Sequence, residues 1–208
     1  MRLGIISDIE GNDQKFRTVL EELQDCAFIV CLGDSVGDKG DSNKVIELLN
    51  NKRTKSILGN HDLEIILGKD IAPSEYMAKF LAESPSEFHT DITLTDENME
   101  FLRGLRYVLK IRHEGRQYGF YHALHGKVDD EIYFEYVNEG NAYILFEKSG
   151  STVTFIGHKH IPALFLKNNS DQIRYARFRS TKTLPIEPAN QYIINVGSVG
   201  APRDKEID

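Results

Sequence analysis

The chain has 208 residues, 40% of them hydrophobic and 10% aromatic, enough for one domain with a sizeable core. Its net charge of −7 and pI near 5.5 disfavour broad electrostatic attachment to nucleic acid or to an anionic membrane, while a phosphorylated substrate stays compatible wherever bound cations invert the local field. The N-terminus turns polar at Ser7-Asp8 and so does not read as a signal peptide; no apolar run reaches the length of a membrane span, and Cys26 and Cys31 read as buried thiols, so a reducing cytoplasm is the expected location.

Leu3 to Ile6 reads as a buried strand ending at Ser7-Asp8-Ile9-Glu10-Gly11-Asn12. Asp8 and Glu10 are two apart and in extended chain would project to the same side. Asn12 or Asp13 can cap the following helix, about Gln14 to Leu23, which places Phe16, Val19, Leu20 and Leu23 on one face. A second strand, Phe28 to Leu32, ends at Gly33-Asp34, and a polar, glycine-rich loop leads into a helix from Lys44 to Leu49. A third, Ser56-Ile57-Leu58, ends at Gly59-Asn60-His61-Asp62, followed by the helical pattern Leu63 to Leu67. Three strand–loop–helix units in succession predict a largely parallel sheet. Residues 63–104 read as a helical cap insertion within a single 1–208 domain, with breaks at Pro73, Pro85 and Thr95, where Thr95 caps a helix through Leu102.

Strand character then returns. Tyr107 to Ile111 and Gln117 to Tyr121 flank the Glu114-Gly115 turn, and the second of them ends at His122-Ala123-Leu124-His125. An aromatic-rich helix is predicted from about Glu131 to Val137, and another from Ala142 to Lys148. Val153 to Ile156 is a buried strand ending at Gly157-His158-Lys159-His160. Ile161 to Leu166 and Ile173 to Phe178 flank a polar turn, and the last strand, Gln191 to Ile194, runs into Asn195-Val196-Gly197-Ser198-Val199-Gly200-Ala201-Pro202-Arg203.

The strand ends therefore carry Asp8, Glu10, Asp34, Asn60, His61, His122, His158 and His160. In an α/β sheet such loops can share one edge. Imidazoles and carboxylates without a thiolate suit Mn, Fe, Zn, Ni or Co better than a structural zinc site. A plain carboxylate acid–base pair is the competing reading, and it explains neither the four histidines nor the amide. His158 and His160 flank one residue and in extended chain would form a two-ligand clamp.

The ordered set Asp8-x-Glu10-Gly-Asn, Gly33-Asp34, Gly59-Asn60-His61-Asp62, His122 and Gly157-His158-x-His160 resembles the calcineurin-like metallophosphoesterase superfamily, and the Asn195–Arg203 run resembles its small bacterial single-domain branch. The resemblance implies a two-sheet α/β/β/α sandwich with a dinuclear metal site at the sheet edge. By position, Asp8, Glu10, Asp34 and His160 would hold one divalent ion, and Asp34, Asn60, His122 and His158 the other, with Asp34 bridging. His61, steered by Asp62, would protonate the leaving alkoxide, after direct attack of a hydroxide shared by the metals. Asn12, His125 and Arg203 are the candidate substrate-binding residues; His125 could instead mark a helix entry, and Arg203 could instead pair with the acids of the tail.

Three features depart from the family pattern. Glu10 stands where His is usual; it hardens the ligand set, which favours Mn²⁺ or Fe over softer choices such as Zn²⁺, Ni²⁺ or Co²⁺, with Mg²⁺ also compatible, or leaves that site weakly occupied, or it points away and leaves one metal short of a ligand. Val196 replaces a proline, and the chain stops at Asp208 where relatives continue into closing strands, so either the chain is shortened or its second sheet is smaller. The resulting expectation is a metal-dependent phosphatase or phosphodiesterase acting on a small phosphorylated substrate or nucleotide, or on a phosphoprotein. The alternative is a catalytically weakened metal-binding scaffold or regulatory protein of the same fold.

Overall fold

A computed structural model describes residues 2–68, 92–128, 131–178, 180 and 183–203. The first half is β1 (Leu3–Ile6), α1 (Asp13–Glu22), β2 (Phe28–Cys31), α2 (Ser42–Leu49), β3 (Thr54–Ser56) and α3 (Asn60–Leu67). These strands form a parallel sheet in the order β1-β2-β3. Its strands are buried on both faces, and the period of two sorts their side chains. Ile29 and Cys31 pack against Phe16 of α1 and Val45 and Leu49 of α2. Val30 and Leu32 point the other way, onto the second sheet.

That second sheet follows α4 (Asp96–Arg103) and contains β4 (Val108–His113), β5 (Arg116–Tyr121), β8 (Val153–Ile156), β9 (Ala163–Lys167), β10 (Ile173–Arg177) and β11 (Gln191–Asn195). A separate hairpin of β6 (Leu124–Val128) and β7 (Glu131–Glu135) and the helix α5 (Ala142–Ser149) lie between β5 and β8 in sequence. The strand order is β10-β9-β11-β8-β5-β4, with β5, β8 and β11 parallel and the flanking pairs antiparallel. Phe120 and Phe155 stack with ring centroids 5.6 Å apart on the face that meets Val30, Leu32 and Ile57. On the opposite face Tyr121, Ile156, Phe165 and Ile193 bury Leu145 and Phe146 of α5. The layers are therefore helix, sheet, sheet, helix, as the resemblance implied. Each fully buried Phe or Leu at these interfaces contributes about 1.5–3 kcal/mol.

Two expectations change. The helix predicted over Glu131 to Val137 is the strand β7, paired antiparallel with β6 so that His125 faces Phe134. Ile132-Tyr133-Phe134 is β-branched and aromatic, which suits a pleated surface, and Phe134 turns inward onto Leu63 and Ala123. The third strand also lies earlier than expected, with Ile57 beyond it paired to the second half by an isolated bridge to Arg106. Of the expected cap, α3 and α4 are helical and pack with α2 through Ile46, Ile65, Ile66, Phe101 and Leu102. Thr95 caps α4 as predicted, its Oγ1 accepting from the Asn98 amide. Residues 69–91, with Pro73 and Pro85, fall outside the described residues, as does the tail beyond Arg203.

Candidate metal centre

The loops after β1, β2, β5 and β8, and the first turn of α3, meet at one edge of the two sheets. Asp8, Glu10, Asp34, Asn60, His122 and His160 are all buried there. Among the described residues seven non-glycine positions have left-handed φ, and five of them are candidate ligands: Asp8 (53°), Glu10 (56°), Asp34 (50°), His158 (68°) and His160 (60°). Such a backbone costs about 1–2 kcal/mol per residue and clusters where surrounding structure enforces it. Here the enforcement is a lattice of loop hydrogen bonds. The Asp8, Glu10 and Gly11 amides donate to the Gly33, Asp34 and Ser35 carbonyls, each at 3.0 Å. The His158 amide donates to both Asp8 carboxylate oxygens at 3.0 Å.

The left-handed turns decide where the side chains go. Asp8 and Glu10 do reach the same place, but not as an extended pair. His158 and His160 do not form a clamp: positive φ at both breaks the two-residue alternation and sends them to different groups. One group is Asp34, His122 and His158; the other is Asp8, Glu10 and His160. Asp34 also belongs to a third grouping with Glu10 and His61.

Backbone carbonyls fix the imidazoles. His122 Nδ1 lies 2.9 Å from the Leu32 carbonyl oxygen, and His160 Nδ1 lies 2.8 Å from that of Ala201. A carbonyl can only accept, so each Nδ1 carries the proton and each Nε2 is left for another partner. His122 Nε2 lies 3.2 Å from Asp34 Oδ2, 3.1 Å from Asn60 Oδ1 and 3.2 Å from His158 Nδ1. His160 Nε2 lies 3.2 Å from Asp8 Oδ1 and 3.3 Å from Glu10 Oε1, and that oxygen is buried without a hydrogen bond. Lone pairs of oxygen and nitrogen thus converge in both groups with too few protons between them. A divalent cation resolves that conflict, and imidazoles braced by carbonyls on the far nitrogen are a usual supporting arrangement for metal ligands. The residues fit metal on this ground.

Without metal, protons must do the same work. Burial opposes charging His122 and His160, but Asp34 raises the former to about 9, and Asp8 with Glu10 raises the latter to about 10. Burial pushes the Asp34 carboxyl up, yet the imidazoles of His122 and His61 outweigh it and hold Asp34 well below the usual carboxylate range. Burial and the neighbouring His122 keep His158 well below an ordinary histidine, so it stays neutral and able to ligate. The Tyr136 ring stacks on His158 at 4.4 Å, a contact that no motif announced.

Glu10 points inward. Its Oε2 lies 2.9 Å from His61 Nδ1, and the carboxylate is 4% exposed. Among the described carboxylates Glu10 lies nearest His61 Nδ1, with Asp34 Oδ2 at 3.8 Å, while Asp62 turns elsewhere. Asp62 Oδ1 accepts from the Ser35 and Val36 amides at 2.8 and 3.2 Å, and Oδ2 from the Gly59 amide at 3.0 Å. It braces two ligand loops, and sequence proximity to His61 was misleading because helical neighbours point about 100° apart.

The three residues expected on the substrate side separate. Asn12 caps α1, accepting from the Lys15 amide at 3.1 Å. His125 lies on β6 between the rings of Tyr107, Tyr121 and Phe134, and burial followed by Lys148 lowers it to about 4, so it marks a strand and not a helix entry. Arg203 is exposed beside the site, its amide donating to the His160 carbonyl at 3.1 Å, while the tail acids lie outside the described residues. The Asn195–Ala201 loop has a role its motif did not reveal. Asn195 Nδ2 donates to the Gly157 carbonyl at 2.6 Å, Ser198 Oγ to the Asp8 carbonyl at 2.8 Å, and Gly200 N to the same carbonyl at 2.9 Å. It clasps the β1 and β8 loops together. Gly157 is required there, since a Cβ would collide with Ser7 Oγ and Asp8 Oδ2.

The sequence matches the calcineurin-like phosphoesterase superfamily domain over residues 1–207. It is 29% identical over 206 residues to the uncharacterized protein MJ0912 of Methanocaldococcus jannaschii, covering 97% of this chain and 77% of that one. The fold is similar to a metallophosphoesterase from Sphaerobacter thermophilus, with a TM-score of 0.70, 27% identity and coverage of 98% of this chain and 79% of that one. It is also similar to the hypothetical protein PH1004 from Pyrococcus horikoshii OT3, with a TM-score of 0.60, 19% identity and coverage of 95% and 77%. With the family match running over residues 1–207, a similar fold, and candidate ligand groups on one sheet edge, the chain belongs to the calcineurin-like phosphoesterase superfamily.

Proposed function

We propose that this protein hydrolyses phosphate monoesters or diesters using one divalent cation in each ligand group, with Asp34 shared. The observation that carries the reading is the pair of carbonyl-braced imidazoles, His122 and His160, whose Nε2 atoms face carboxylates on opposite sides of the site. When bound, such a cation pair supplies charge to phosphate oxygens and a nucleophile from water at neutral pH. Asp8, Glu10 and His160 would hold one ion, and Asn60, His122 and His158 the other.

The chain's own groups supply the remaining chemistry. His61 is 21% exposed at the mouth of the site, and Glu10 and Asp34 counter the burial that would neutralise it, raising it well above an ordinary histidine. With Nδ1 held by Glu10, Nε2 is the atom from which a proton would pass to a leaving alkoxide. Arg203, exposed and held by its amide to the His160 carbonyl, would supply a cation for a substrate phosphate. An inward, carboxylate-rich site is a hard-ligand set, which supports Mn²⁺ or Fe. It also counts against a scaffold left one ligand short by Glu10. Among the described residues no helix is long and apolar enough to cross a membrane. Two free cysteines, both buried, suit a reducing cytoplasm and a small phosphorylated substrate or nucleotide encountered there.

The test is hydrolysis of p-nitrophenyl phosphate and bis-p-nitrophenyl phosphate with Mn²⁺ added and with chelator. Activity is expected only with metal, and Asp34→Asn should lower it by about 10²–10³-fold, the scale of removing one electrostatic element from a site. A wild type inactive on both esters refutes the enzyme reading, and an Asp34→Asn variant as active as wild type refutes the site.

A further inference from the structure

We infer that Glu10 serves two partners at once: Oε1 faces the Asp8–His160 ligand group, and Oε2 sets the ring of His61, which makes Glu10 a positioning residue for the proton donor. The inference rests on the phosphoesterase reading and adds a link between metal site and acid. The two oxygens are already divided this way. Oε2 is 2.9 Å from His61 Nδ1, while Oε1 is buried, has no hydrogen bond and lies 3.3 Å from His160 Nε2. The backbone of Glu10 cannot drift, since its amide donates to the Asp34 carbonyl and its carbonyl accepts from the Lys39 amide, both at 3.0 Å. Gly37 leaves the space, because a Cβ there would lie 2.6 Å from Oε2.

A carboxylate is suited to this division and an imidazole is not. Each carboxylate oxygen accepts independently, so one can meet a cation while the other accepts the N–H of His61. A histidine at position 10 that gave its lone pair to a cation would turn an N–H toward His61 Nδ1, which can accept it only as the neutral tautomer protonated at Nε2; the doubly protonated acid, with an N–H there, would find no acceptor. An aspartate is a methylene shorter and would not span both partners. The replacement at position 10 thus keeps a ligand and gains control over a second residue.

The test has two arms. In metal-free protein labelled with ¹⁵N-histidine, the His61 ring should show a hydrogen-bonded Nδ1 proton in wild type. That signal should be lost in Glu10→Ala and Glu10→His, with the backbone amide spectrum confirming the fold; Glu10→Met, of similar length and with no strong acceptor, serves if Glu10→Ala does not fold. In the Mn²⁺-loaded protein, rates are compared across phosphate esters from nitrophenol to simple alcohol leaving groups. Glu10→His should lose about 10²-fold more rate on alkyl esters than on nitrophenyl esters, the usual scale of general acid catalysis. His61→Ala should show the same dependence, and the double variant should be no worse than His61→Ala.

An unchanged ring signal in Glu10→Ala overturns the inference. So does a uniform loss across leaving groups in Glu10→His, which would report metal binding alone. So does a third bound Mn²⁺ in wild type that disappears in His61→Ala, which would make His61 a ligand. If wild type hydrolyses no ester, the phosphoesterase reading fails, and the ring signal alone still decides whether Glu10 positions His61.

Discussion

Replacing Asp62 by alanine tests whether this residue braces the site or serves His61. Its carboxylate is fully buried and accepts three backbone donors, from Ser35, Val36 and Gly59. An orphaned buried donor costs about 1–3 kcal/mol, so three set an upper range of roughly 3–9 kcal/mol. Removing a buried charge close to Asp34 returns part of this, as does water entering the small void, leaving about 2–4 kcal/mol. For a chain of this size that lowers Tm by about 5–15 °C. Asp62→Asn keeps one acceptor but turns an N–H₂ toward the Gly59 or Ser35 amide, and should lose roughly half as much. His61→Ala removes a ring that lies partly exposed at the mouth and should cost less than Asp62→Ala. The assay is urea unfolding of metal-free protein, followed by circular dichroism. An Asp62→Ala variant within about 0.5 kcal/mol of wild type, or one less perturbed than His61→Ala, refutes the bracing role.

Two further outcomes follow from the same geometry. The folded-state values of His122 and His160 lie above that of a free histidine, at about 9 and about 10, because of Asp34 and of Asp8 with Glu10. Folding therefore binds protons that the unfolded chain releases; their stabilisation is complete below the ordinary histidine range and is lost as pH rises through about 9 and 10. Urea midpoints of chelator-treated protein should fall steadily from neutral to alkaline pH, and Mn²⁺ should flatten that fall by replacing the protons; a flat profile without metal contradicts the assignment. Gly157→Ala forces a methyl onto Ser7 Oγ and Asp8 Oδ2. It should cost about 1–3 kcal/mol in thermal unfolding and weaken metal binding measured by calorimetry, and an unchanged metal affinity would contradict the close packing of that loop.

Much of the architecture was legible because period and position agreed. Ile29 and Cys31 against Val30 and Leu32 is plain alternation, and the two sets face helices and sheet as a doubly covered strand requires. The site was legible as a list because its residues recur at strand ends. Its geometry was not. Left-handed φ at His158 and His160 leaves no mark in a two-residue spacing, and only Gly157 ahead of them hints at a tight turn. The orienting groups are the carbonyls of Leu32 and Ala201, and any residue has a carbonyl. The Glu10–His61 contact joins residues 51 apart in sequence, whereas adjacency favoured Asp62. The β7 strand was missed because Ile132-Tyr133-Phe134 is apolar enough for either period, and only its partner β6 decides between them.

The proposed arrangement has two cations on this sheet edge with Asp34 between them. A crystal grown with Mn²⁺ and measured at the manganese absorption edge tests it most directly. Two anomalous peaks are expected, one among Asp8, Glu10 and His160 and one among Asn60, His122 and His158, with Asp34 touching both. No peak at either place, or a single ion with Glu10 turned out to solvent, would contradict it.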